Sequence, residues 1–247
     1  MTETTFQTSA KKSFRPSFFF CMTLVMAFFI FSGFGMTYFQ PMATGSLGPL
    51  PPVVHIHGLF YCSWIILLVV QALLVNVKSI ALHRSLGTFG IAIGTGVALM
   101  GALITVLFMG ATELNTKDDY GLTYLSIVAV LTFGILFCIA IRNVRKPEIH
   151  KRLILFATIV ILPPGINRLY MMTFELSNVP FLATYLTMNA LIAAIAIYDW
   201  RTMGKISKTT LCGAAAIIIP EVLFTPVIAS ESFDALCTLI TNFAQYR

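Results

Sequence analysis

The sequence predicts an all-α membrane protein: a bundle of about seven transmembrane helices, N-terminus in the cytoplasm and C-terminus outside. Three observations predict it. Hydrophobic residues make up 57% of the chain, charged residues 11%, and the mean hydropathy is +0.87. A soluble domain carries about 25% charge, so a chain this apolar cannot cover its surface with polar groups. Apolar runs recur at close to the roughly 20 residues that a membrane-crossing helix needs. Basic residues collect in every second connection, which is the bias that orients membrane proteins.

The elements follow in order. Lys11, Lys12 and Arg15 precede the first run, Phe18–Tyr38. This run is too long for the apolar core of a cleaved signal, and no small-residue cleavage site follows it, so it is expected to stay as the first span. The uncharged Gly/Pro-rich stretch Gln40–Pro52 is an irregular outer connection, and Val54–Val75 is the second run. Lys78, His83 and Arg84 mark a return to the basic side before Leu86–Met109. The connection Glu113–Asp119 is largely acidic, and Leu122–Ile141 follows it. Arg142, Arg145, Lys146, Lys151 and Arg152 cluster before Leu153–Met172. Glu175 marks the outer side, Val179–Tyr198 returns, and Arg201, Lys205 and Lys208 precede Leu211–Ile228. The tail, 230–247, is too polar to cross. Phe233, Leu236, Leu239, Ile240 and Phe243 recur at helical spacing there, as in an amphipathic helix lying on the outer interface.

These runs consume the chain, so residues 1–247 form one transmembrane domain with membrane lipids as its first partners. The net charge of +6 and pI near 9.2 come from loop residues that set orientation, and nucleic acid is excluded as a partner. Cys21, Cys62, Cys138, Cys212 and Cys237 show no ligand spacing and read as small apolar side chains. No P-loop, dinucleotide fingerprint, HExxH or nucleophile motif occurs.

Gly87, Gly90, Gly94, Gly96 and Gly101 crowd the third run. Small residues four apart let helices approach closely, which makes this run a candidate central helix. Room for a flat cofactor is the alternative. Leu82-His83-Arg84-Ser85-Leu86 and Ile149-His150-Lys151-Arg152-Leu153 echo each other at the basic starts of two spans. They place two imidazoles at one depth, as a b-type haem with two axial histidines requires. His83 and His150 are therefore the candidate haem ligands, or the groups that meet a quinone carbonyl. His57, Tyr61, Trp64, Leu68 and Gln71 share one face of the second helix. With Arg168, the set His57, Trp64 and Gln71 is expected to line an outer pocket. Pro163-Pro164-Gly165 bends the fifth helix. Arg168 beyond it meets an anion (a lipid phosphate, a propionate or Glu175) or snorkels to headgroups. Glu221 is expected to pair with a neighbour such as Arg168, or to stand protonatable in a cavity, with Asn189 nearby. Asp199 and Arg201 read as an ordinary border.

The motifs His57-Gly58, Trp64, Gln71, Leu82-His83-Arg84, Leu86-Gly87, His150-Lys151-Arg152-Leu153, Pro163-Pro164 and Asn167-Arg168 resemble an uncharacterised family of bacterial inner-membrane proteins over Val54–Arg168. The resemblance implies a multi-span protein of the inner membrane and carries no activity. More distantly the chain is similar to membrane di-haem cytochromes b, but it lacks the ligand pair for a second haem. The expected function is a redox-linked membrane component binding haem or quinone. An accessory subunit of a larger membrane complex and a small transporter using Glu221 and Arg168 are the alternatives.

Overall fold

The computed structural model describes residues 14–111 and 117–245. Lys11, Lys12 and the acidic connection at 112–116 lie outside them. The described residues form helices and no strand. Ser17 caps α1 (Phe18–Phe34) with its hydroxyl, and a π-helical turn, Gly35–Phe39, continues it into the short α2 (Gln40–Ala43). Next come α3 (Pro52–Asn76), α4 (Ile80–Ala111) and α5 (Lys117–Arg142). The fifth apolar run is split into α6 (Pro147–Val160) and α7 (Pro163–Phe174), bent by 47°. Pro163 and Pro164 remove two consecutive backbone donors, which is why the bend falls there. Then follow α8 (Phe181–Met203), α9 (Lys208–Val222), α10 (Phe224–Ile228) and α11 (Glu231–Gln245).

Among the described residues five helices are long and apolar enough to cross a membrane, or six if the bent α6–α7 pair is one span. The last apolar run does not form one long helix. α9 has 15 residues, about 22 Å at 1.5 Å per residue, and the helix breaks at Leu223. Pro220 inside it and Pro226 in α10 deprive that stretch of two amide donors. Even so, α9 runs the height of α8: Thr210 at its start bonds Asp199, and Phe224 beyond its end packs on Phe181, 5.0 Å between ring centroids.

Large side chains such as Leu59, Phe89, Leu99, Leu131, Leu182 and Leu186 stand exposed around the bundle. In a protein of this composition they form the lipid-facing belt. The interior is built on α6, whose residues Arg152, Leu153 and Leu155 through Val160 are all buried. The glycine-rich α4 is not the central helix. It buries one stripe (Gly90, Ile93, Gly94, Val97, Gly101, Thr105, Met109) and turns the rest outward. Its glycines admit aromatic rings: a Cβ at Gly94 meets Phe137, one at Gly96 meets Phe60, and one at Gly101 meets Tyr61. The closest backbone approach joins α1 to α7, where a Cβ on Gly33 would overlap the Gly165 backbone.

At the end carrying the basic connections, called here the basic end, Asn76 ties α3 to α1. Its Oδ1 accepts from the Ser17 amide at 2.7 Å, and its Nδ2 donates to the Arg15 carbonyl at 3.3 Å. At the opposite, far end, α11 folds back onto the end of α4 and the start of α5. Phe233 and Cys237 are buried with Met109 and Tyr124, Tyr120 donates to Asp234 at 2.6 Å, and a Cβ at Gly110 would strike Ala244. Leu236, Leu239 and Phe243 face outward. This is the amphipathic helix expected of the tail, seated on protein along one side. Burial, and then the Asp234 carboxylate, push the Cys237 thiol up from its ordinary range, which keeps it protonated.

Candidate functional site

Four polar groupings among the described residues hold the candidate site residues. The first is at the basic end and is fully satisfied. Arg152, in the second turn of α6, is buried, and so is Asp199 in the last turns of α8. Arg152 Nη2 and Nε donate to Asp199 Oδ1 at 2.5 and 3.0 Å. Arg152 Nη1 donates to the carbonyl and to the carboxylate of Glu148, at 2.8 and 2.7 Å. Asp199 Oδ2 accepts from the Ser207 amide at 3.1 Å and from Thr210 Oγ1 at 2.5 Å. One ion pair therefore joins α6, α8 and the start of α9. The sequence reading placed Arg152 among loop cations and Asp199 at an ordinary border. The available signals were an acid on the basic side and Ser207-Lys208-Thr209-Thr210, a capping sequence that brings donors to it.

The second grouping holds His83 and His150. Both stand at the basic end, as the echo of their flanking sequences predicts, and they are near enough for their charges to interact. His150 Nδ1 is 2.9 Å from the Ala140 carbonyl of α5. The His83 ring lies near the Gln71 backbone, and its Nδ1 is buried with no partner. Gln71 Oε1 is also buried without a partner, and the Gln71 amide faces Gly87, whose added Cβ would lie 3.7 Å from Nε2.

The third grouping is at the far end. The His57 ring packs on Tyr61 at 4.2 Å between centroids, and its Nδ1 is buried without a partner. The Arg168 charge acts on His57. Arg168 is half-buried, lies 4.5 Å over the Phe34 ring, and donates to the Pro164 carbonyl at 3.0 Å. Among the described residues it forms no ion pair with Glu175 or Glu221. His55 Nδ1 meets Tyr38 Oη at 2.5 Å.

The expected pocket of His57, Trp64, Gln71 and Arg168 is thus divided. Residues 57 and 71 share a helix face but stand about 21 Å apart along it at 1.5 Å per residue. His57 and Arg168 are at the far end, and Gln71 joins His83 and His150. Trp64 is in the core between them, with Nε1 donating to Thr158 Oγ1 at 3.2 Å and its ring edge-on to Phe133 and Phe137. Trp64→Phe is expected to leave Thr158 with only the Ile154 carbonyl and to cost about 1–2 kcal/mol, read as a lower denaturation midpoint in detergent.

The fourth grouping lies in the far half between α5, α8 and α9. Asn189 Nδ2 donates to Glu221 Oε1 at 2.7 Å. Tyr124 Oη donates to the Pro220 carbonyl at 2.6 Å. Sequence reasoning brought Asn189 and Glu221 together but missed the tyrosines beside them.

No group of three or more His, Cys, Asp or Glu placed to hold a metal ion occurs among the described residues. Comparison with known proteins gives no match: no family model, no curated protein and no solved structure matches this chain.

Proposed function

We propose that this protein is a redox-linked component of the bacterial inner membrane that holds a haem b or a quinone at the α3–α4–α6 junction. The observation that carries the reading is the setting of His83 and His150. His150 Nδ1 is taken by the main-chain carbonyl of Ala140 on a neighbouring helix, and His83 lies beside the Gln71 backbone. Ligating imidazoles are oriented by such outer contacts, which leave the second nitrogen for the ligand. His83 Nδ1 and Gln71 Oε1 are the buried atoms that lack a partner there, and buried polar atoms demand one. A haem would be held by His83 and His150. A quinone, in its reduced form, would donate to His83 Nδ1 or Gln71 Oε1. Either group supplies reversible electron transfer when bound. The chain's own part is to hold the two rings near each other at the basic end.

The same proposal includes seven crossings, with the basic connections in the cytoplasm and the C-terminus outside. The contacts of α9 and α10 with α8, from Asp199 to Phe181, support the seventh crossing.

The test is an optical spectrum and a quinone assay on protein purified in detergent. A haem Soret band or extractable quinone is expected, lost in both His83→Ala and His150→Ala but kept in His55→Ala. A folded wild-type protein that is colourless and quinone-free overturns the reading.

A further inference from the structure

The grouping around Glu221 has a role independent of the histidines. A crevice of about 20 Å³ lies where α6 bends into α7, lined by Tyr124, Val160, Pro163, Tyr185, Pro220 and Glu221 among others. That is room for about one water. Three buried polar atoms here have no partner: Glu221 Oε2, Asn189 Oδ1 and Tyr185 Oη. Asn189 Oδ1 is an acceptor only, Glu221 Oε2 is an acceptor only when ionised, and the tyrosine offers one proton. Backbone geometry deepens the shortage of donors. The Val160 carbonyl faces prolines at 163 and 164, the positions three and four residues on, and neither has an N–H to give it. The Ala216 carbonyl loses its helical donor to Pro220 in the same way. Among the described residues no cation pairs with Glu221.

Acceptors therefore outnumber donors around a carboxyl placed inside an apolar bundle, where an ionisable group is costly and usually functional. With Glu221 ionised, the Tyr185 proton and the two hydrogens of one crevice water are three donors for four acceptors: Glu221 Oε2, Asn189 Oδ1 and the Val160 and Ala216 carbonyls. A proton on Glu221 Oε2 removes that acceptor and donates to the water, which leaves three donors for three acceptors with no metal and no counter-ion. We propose that Glu221, Asn189 and Tyr185 form an exchangeable proton-binding site in the far half of the membrane domain, with Glu221 as the acid and Tyr185 as the hydroxyl through which the crevice water is held. The step is a simple protonation of the Glu221 carboxylate, with the proton exchanged with the aqueous phase.

The experiment is infrared difference spectroscopy on the full-length protein in lipid, between acidic and alkaline pH in light and heavy water. A carboxyl C=O band that appears with protonation and shifts on deuteration is expected. It is lost in Glu221→Gln and moved in frequency in Tyr185→Phe. Wild-type protein, confirmed folded, that shows no such band overturns the proposal, so the result does not hang on the stability of a variant. Band loss with Glu175→Gln in place of Glu221→Gln overturns it as well. A sodium or potassium titration of melting temperature at fixed pH is the second arm. No saturable response is expected, whereas one that Glu221→Gln abolishes assigns the site to a metal cation and overturns the proton.

Discussion

Arg152→Ala and Asp199→Ala are each expected to cost about 3–5 kcal/mol, the range for stripping one partner from a buried ion pair. The reason is the charge left behind. Asp199 stripped of Arg152 keeps the Ser207 amide and the Thr210 hydroxyl, but it remains a buried carboxylate without a cation. Arg152 stripped of Asp199 keeps only Glu148, which is largely exposed and therefore worth little. A double change to apolar residues of similar volume, Arg152→Met with Asp199→Leu, is expected to be much milder than either single change, because no charge is stranded. Glu148→Gln is expected to fall below about 1 kcal/mol. Unfolding by a graded denaturing detergent, followed by circular dichroism, ranks the four. A double variant that loses as much as the two single variants added together would mean that the pair does not act as a unit.

Gly33→Ala and Gly165→Ala are expected to be the most damaging of the small substitutions. A Cβ at Gly33 would run into the Gly165 backbone, and one at Gly165 would lie 2.9 Å from the Phe29 carbonyl oxygen of α1. Backbone cannot rotate aside as a side-chain tip can, so α1 and α7 must separate along their length. Overpacking in a close-packed interior costs about 1–3 kcal/mol, and the upper end applies here. Gly134→Ala is the control. Nothing lies within 4 Å of its added Cβ, so the helix gains about 0.5–1 kcal/mol from lost backbone freedom in the unfolded chain. Melting temperatures in detergent are expected to fall for the first two and to hold or rise for the third.

The helical, membrane-like character of the chain was legible because hydropathy and helix length are read directly from residue type. The bend at Pro163-Pro164 was legible for the same reason, since a missing amide donor is a property of the residue alone. Which helix lies innermost was not. In lipid the outer face of a helix is as apolar as its packed face, so composition cannot separate the lipid-facing Leu99 from the buried Phe156. Glycine spacing pointed to α4, yet its glycines make space for the rings of Phe60, Tyr61 and Phe137 on neighbouring helices. The location of His83 and His150 at the same end of the bundle was legible from their matching positions at helix starts. The separation of His57 from Gln71 followed from axial rise but was masked by their common face. The Arg152–Asp199 pair joins residues 47 apart, and nothing local marks two border charges as partners.

That long separation has a consequence for biosynthesis. The arginine leaves the ribosome and reaches the translocation channel well before its aspartate has been translated. Until the later segment arrives, the half-made chain carries a lone positive charge at the edge of the hydrocarbon, held only by an exposed glutamate one turn earlier. Insertion of the central segment is therefore provisional, and maturation waits on the closing third of the polypeptide to lock it in place.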